Sequence, residues 1–169
     1  MLLSWRTKHE RFFISMGWLL PALIAMGVWD ERYRRIPNRV LLVLLLLYLA
    51  AWPVLAYTLD NVSIDDYLPL FFKRLAEAGG VLLVSGLFSL WRPESLGMGD
   101  CKLMAVVVLY LGFMEGITLL WLALFLTGLR GLVQRIGQKE KKIRTLAFAP
   151  QVAAAGILYC LLHLAWKIP

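Results

Sequence analysis

Paired cysteines are missing from this sequence. Cys101 and Cys160 are its only two and they stand far apart, which leaves neither a C-x-x-C zinc ribbon nor a disulfide framework to be built from the chain. Histidine is as scarce. His9 and His163 offer no metal-ligand spacing, so no metal centre is expected, and His163 reads as an interfacial or packed ring. Cys101 has no partner histidine suggested by the sequence, which argues against a thiol nucleophile. There is no internal repeat, no low-complexity tract, and no glycine-rich phosphate loop with an acidic ribose partner. No cofactor is expected.

What the chain has in abundance is apolar surface. Hydrophobic residues make up 60% of its 169 residues and the mean hydropathy is +0.71, well above an ordinary soluble domain. A water-soluble protein of this length has no interior large enough to hide so much, so lipid must cover it. Six stretches approach the roughly 20 apolar residues that a spanning helix needs: 12–30, 39–58, 76–91, 99–113, 115–135 and 146–166. The expected fold is all-α, a polytopic membrane bundle of about six transmembrane helices in one domain, residues 1–169. Pro21 and Pro53 should loosen the first two runs, which membrane helices tolerate. The first run follows Arg6, Lys8 and Arg11 as a signal peptide would, but no small-x-small cleavage site precedes Trp29-Asp30, so it is read as a mature helix. Residues 63–73, with Tyr67, Phe71 and Phe72, read as an amphipathic segment lying along the outer interface.

The net charge of +7 would suit a nucleic-acid binder if it were gathered on one face. Instead the basic residues sit between apolar runs, where they report topology, and no nucleic-acid partner is expected. The first, third and fifth connections hold twelve of the eighteen basic residues, among them Arg32, Arg34, Arg35, Arg39, Lys139, Lys141, Lys142 and Arg144. The second is acidic, with Asp60, Asp65, Asp66 and Glu77 outnumbering Lys73 and Arg74. Positive-inside bias places the odd connections in the cytoplasm and both termini outside. The seven tryptophans fall mostly near span ends, as an aromatic belt requires.

Carboxylates at the ends of apolar runs stand out, because a bilayer penalises ionisable groups. Asp30 closes the first run and Asp100 opens the fourth. Two helices of opposite direction thus carry two carboxylates to one depth at the cytoplasmic face. Close carboxylates cannot both ionise easily, so a proton is shared; one member can act as base on a water while the other hydrogen-bonds a scissile carbonyl. Gly97 and Gly99 let the backbone bend and approach a substrate, and a helix start favours an anion at Asp100. Each aspartate taken alone also fits a helix cap or a surface ion pair, and spacing does not decide between the readings.

Three segments carry a resemblance. Asp30-Glu31-Arg32-Tyr33-Arg34-Arg35-Ile36-Pro37-Asn38 resembles the Asp-x5-Ile-Pro-Asn segment of type IV prepilin peptidases. Gly97-Met98-Gly99-Asp100-Cys101-Lys102-Leu103-Met104-Ala105 resembles their G-x-G-D-x-K-L-x-A segment, and Ala147-Phe148-Ala149-Pro150 is similar to the stretch that opens their last helix. The resemblance runs from the first helix to the last, in family order. It implies a membrane-embedded aspartic endopeptidase of the inner membrane that removes the basic leader from prepilins or pseudopilins, just before their hydrophobic helix. Asp30 and Asp100 match the catalytic aspartates, Gly97 and Gly99 the motif glycines, and Lys102 and Pro37 further motif positions without an assigned role. Larger members add an N-terminal region with paired C-x-x-C motifs and also methylate the new N-terminus; this chain looks like the short, peptidase-only form. From another class, a small proton-coupled transporter using the two carboxylates as a relay is the alternative, although the apolar span middles and the lack of an inverted repeat speak against it.

In a cysteine-free background, single cysteines placed at 32–39 and 138–142 are expected to react with a membrane-impermeant reagent only from the cytoplasmic side, and one at Asp65 only from outside. The reverse pattern would put both aspartates on the wrong face for a cytoplasmic leader.

Overall fold

The computed structural model describes the backbone of residues 2–60, 64–92, 96–137 and 147–165, and the side chains of 12–51, 68–92, 96–136 and 147–165. It is all-helical among these residues: α1 Leu2–Tyr33, α2 Asn38–Asp60, α3 Ile64–Trp91, α4 Met98–Leu111, α5 Phe113–Gly137 and α6 Ala149–Ala165. The six apolar stretches are these six helices. The basic cluster Lys139–Arg144 lies outside the described residues.

Two helices, α1 from Phe12 and α5, are long and apolar enough to cross a membrane, and α2 and α6 carry shorter apolar stretches. The outward faces of α2, α3 and α5 are apolar: Leu42, Leu46, Leu83, Val84, Leu87, Phe125 and Val133 are all more than half exposed. Exposed apolar surface of that extent suits hydrocarbon rather than water, and the architecture is a membrane helical bundle. Trp29 and Trp91 sit at helix ends with their rings exposed, whereas Trp18 and Trp121, also exposed, lie well inside α1 and α5.

The shortest helix is also the most enclosed. At 14 residues, α4 is only about 21 Å long, less than the roughly 30 Å hydrocarbon core. It needs no lipid-facing stripe, because α1, α2, α3 and α5 all pack around it. Cys101, Leu103, Val107 and Val108 have no exposed surface. Gly116 permits the closest approach: a Cβ there would lie 2.8 Å from the Val108 Cα, so only glycine lets α5 rest on the α4 backbone. The turn between them is made at Gly112, whose φ of 88° is a left-handed value that glycine adopts without strain. The Arg74 guanidinium occupies the space a Cβ would take there, and Glu77 accepts the Phe113 N–H at 3.2 Å.

Residues 64–73 are the opening turns of α3, which continues through Pro69 to Trp91, rather than a segment separate from the third helix. Proline removes one N–H bond there, and packing of Phe71, Leu70 and Leu75 against Tyr48, Ala78 and Leu109 offsets it.

Gly116→Ala is expected to destabilise the bundle by about 1–3 kcal/mol, the usual cost of overpacking. Gly128→Ala, where a Cβ meets nothing within 4 Å, should instead be neutral or stabilising by up to about 1 kcal/mol, because it removes a glycine from a helix. Thermal unfolding of both variants in one detergent checks the contrast.

Candidate active site

The last turn of α1, the first turn of α4 and the first residue of α6 meet at one end of the bundle. Asp30 reaches this point only 6% exposed. Its placement begins one turn earlier, at Gly27, where a Cβ would lie 3.0 Å from the Pro150 Cα and 3.5 Å from the Ala149 carbonyl oxygen. Glycine therefore brings α1 against the start of α6, and the free Ala149 N–H then hydrogen-bonds the Asp30 carboxylate. The N–H groups of a helix's first turn have no partner within the helix, so α6 supplies a donor to a carboxylate that burial would otherwise strand.

The chain leaves α1 through a left-handed residue. Arg34 has φ 54° and its N–H bonds the Asp30 carbonyl oxygen at 2.9 Å, an αL cap made without the usual glycine. Its charge also lies near enough to act on the Asp30 carboxylate. Next along α1, Glu31 is bonded at 2.7 Å by Arg130 of α5.

Asp100 is the third residue of α4. The Asp100 N–H bonds the Gly97 carbonyl oxygen at 3.0 Å, and the Asp100 carboxylate reaches back to accept the Gly97 N–H. This is the carboxylate half of a capping box. A Cβ on Gly97 would lie 3.3 Å from Asp100 Oδ2, so the bare glycine gives the carboxylate its room. Asp100 is half-buried and lies close enough to Asp30 for the two charges to act on each other. The helix cap and the carboxylate pair are thus both present at one side chain.

The other motif residues lock the α1–α2 connection onto this turn. Ile36 covers Gly99, whose Cβ would lie 3.3 Å from the Ile36 Cβ. Pro37 accepts the first bonds of α2, from Val40 at 3.0 Å, and takes no part in the pairing of the aspartates. Lys102 Nζ bonds Asn38 Oδ1 at 3.1 Å. On the other side, Ser89 donates to the Leu96 carbonyl at 2.7 Å, tying α3 to the approach of Gly97. Sequence reasoning gave Asn38 no role, though a polar residue after Pro37 at a helix start was the available signal. It had no means of finding the Ala149 N–H, a backbone group more than a hundred residues from Asp30.

Cys101 is fully buried, with its thiol 3.4 Å from the Gly97 carbonyl oxygen. His163 packs at the far end of the bundle, its ring 4.3 Å from Phe12 and 4.8 Å from Tyr159. Tyr159 in turn donates a hydrogen bond to Glu115. Among the described residues, no group of three or more His, Cys, Asp or Glu is disposed to hold a metal ion.

Comparison with known proteins follows the same residues. A family model described as the type IV leader peptidase family matches residues 18–132, a span holding both Asp30 and Asp100. The chain is also 31% identical over 158 residues to a prepilin leader peptidase/N-methyltransferase of Bacillus subtilis (strain 168). That alignment covers 88% of this chain and 57% of the relative, so the chain spans a little over half of that protein's length. No solved structure matches.

Proposed function

The chain belongs to the type IV leader peptidase family, and from that membership we propose that it is a membrane-embedded aspartic endopeptidase acting on prepilins or pseudopilins at the cytoplasmic face of the plasma (inner) membrane. The observation that carries this reading is the approach of Asp30 and Asp100 from two different helices, each met by a backbone N–H, from Ala149 and Gly97. Two neighbouring carboxylates resist double ionisation and hold one proton between them. The ionised member draws a proton from a water as that water attacks the scissile carbonyl carbon. The protonated member hydrogen-bonds the carbonyl oxygen and stabilises the charge that develops on it. Collapse of the tetrahedral intermediate passes a proton to the leaving nitrogen and returns the pair to its starting state.

The substrate class is the one the family implies, and the position of the pair is compatible with it. The aspartates stand at the end of an apolar bundle beside the basic connection Arg32–Arg39, a depth that suits a bond between a water-borne leader and a lipid-borne helix. The same position at the bilayer edge gives water access to the attack, which a pair at mid-membrane would lack.

Asp30→Asn and Asp100→Asn are each expected to reduce cleavage of a purified prepilin by at least about 100-fold, the lower range of general acid–base contributions. Insertion and expression should be retained. Product mass reports the cleavage, and full processing by either variant would remove the carboxylate pair from the mechanism.

Of the two activities in the relative's name, hydrolysis is the one for which the described residues supply chemistry. Methyl transfer from S-adenosylmethionine needs a sizeable concave site with convergent polar groups. Incubation of this chain with a prepilin and methyl-labelled S-adenosylmethionine is expected to give a shortened, unlabelled product. Label on the new N-terminus, dependent on this chain alone, would assign both activities to the bundle.

A further inference from the structure

A groove of about 420 Å³ opens between α2, α3 and α4. The helices α2 and α3 both pack on α4 but meet each other only sparingly, and the gap between them is the groove. Its walls are apolar, with Leu42, Leu45, Gly79, Leu82, Ala105 and Leu109 prominent, and at one end stand Asn38 and Lys102. From Asn38 to Leu45 on α2, and from Lys102 to Leu109 on α4, it runs about 10 Å, within the depth of a single leaflet. Leu42 is 56% exposed and a Cβ on Gly79 would meet nothing within 4 Å, so the groove faces outward along its length.

The groove is separate from the carboxylate pair. Asp100 and Lys102 differ by two positions, roughly 200° around α4, so Asp100 turns toward α1 and the groove lies on the opposite side. Its polar end is cationic. Lys102 donates to a neutral amide, Asn38 Oδ1, and among the described residues no carboxylate lies within ion-pair distance of it. An ammonium has three protons to donate, and this hydrogen bond uses one. An apolar groove within the depth of one leaflet, with an ammonium beside an amide at its polar end and no carboxylate partner for that ammonium among the described residues, suits a single acyl chain beneath an anionic headgroup.

We propose that this groove seats one acyl chain of an anionic glycerophospholipid from the adjacent leaflet, with Lys102 and Asn38 receiving its phosphate. The bound lipid braces α2 against α3 where they lack mutual packing, and its phosphate bears on the residue pair that ties the Ile36-Pro37-Asn38 segment to the first turn of α4. The groove shares the Lys102–Asn38 pair with the connection that packs on the Asp100 turn, and lipid binding can be measured without any assay of peptidase activity.

The test uses the full chain in detergent, with phosphatidylglycerol and phosphatidylcholine of identical acyl chains as probes. Native mass spectrometry is expected to show one phosphatidylglycerol retained in preference to phosphatidylcholine, and the same lipid should raise the melting temperature more. Gly79→Phe, which fills the groove, should remove both effects, whereas Gly128→Phe on the open face of α5 should keep them. Lys102→Gln should lower the preference for the anionic lipid roughly fivefold, the worth of one basic residue at an anionic surface, while retaining the weaker apolar association. A phosphatidylglycerol with a photoreactive acyl chain supplies a measurement that needs no variant: label is expected on Leu42, Leu82 and Ala105. Equal retention of the two lipids, unchanged binding by a folded Gly79→Phe, or label confined to other faces such as Phe125 and Val133 would each overturn the proposal. So would capture of a polypeptide helix in the groove by a photoreactive residue at Leu82.

Discussion

A carboxylate carried into the edge of an apolar bundle must find donors there or lose its charge. Asp30, nearly withdrawn from solvent, finds one in the backbone N–H of Ala149. The contact exists because Gly27 lets α1 lie directly on the first turn of α6, and it sets the relation of the first and last helices. Other packing follows from it. Met16, Leu19 and Leu23 on α1 and Val152 and Ala155 on α6 are buried in the same cluster, continuing the seam away from the site, and at its far end Phe12 stacks on Tyr159 and His163.

The second carboxylate is held by a different device. Asp100 caps its own helix through the Gly97 N–H, a local arrangement that any soluble helix could use. It gains a second meaning only because α4 is enclosed by its neighbours and α1 delivers Asp30 to the same place. In this position the cap fixes the side chain's direction, which is the kind of preorganisation that the proposed catalytic pair requires. The connection from Arg34 to Asn38 reinforces the arrangement, with Ile36 closing over Gly99 and Asn38 bonded to Lys102. Two segments that are far apart in sequence thereby share one small volume.

Much of this was legible beforehand, for reasons that differ by residue. The helices were visible because apolar runs in lipid need no partner to be recognisable; length and hydropathy suffice. The polarity of residues 64–73 hid their continuity with the third helix, because the sequence does not show that Tyr48 and Leu109 are there to pack Phe71. The brevity of α4 was visible, but its enclosure was not, since a short apolar run looks the same whether lipid or protein surrounds it. Asp30 and Asp100 were conspicuous because carboxylates at span ends are costly and therefore few.

From the sequence alone it follows that the chain is helical, that its apolar surface exceeds what a fold of this length can bury, and which carboxylates stand at the ends of its apolar runs. These properties depend on hydropathy and charge, which are written residue by residue. The tertiary structure alone decided who meets whom: the Ala149 N–H on Asp30, Ile36 on Gly99, Lys102 on Asn38, and the groove left where α2 and α3 part. Such contacts depend on how closely helices approach, and that is set by glycines facing partners far along the chain. A glycine in a sequence shows that close approach is permitted. Only the fold shows what approaches.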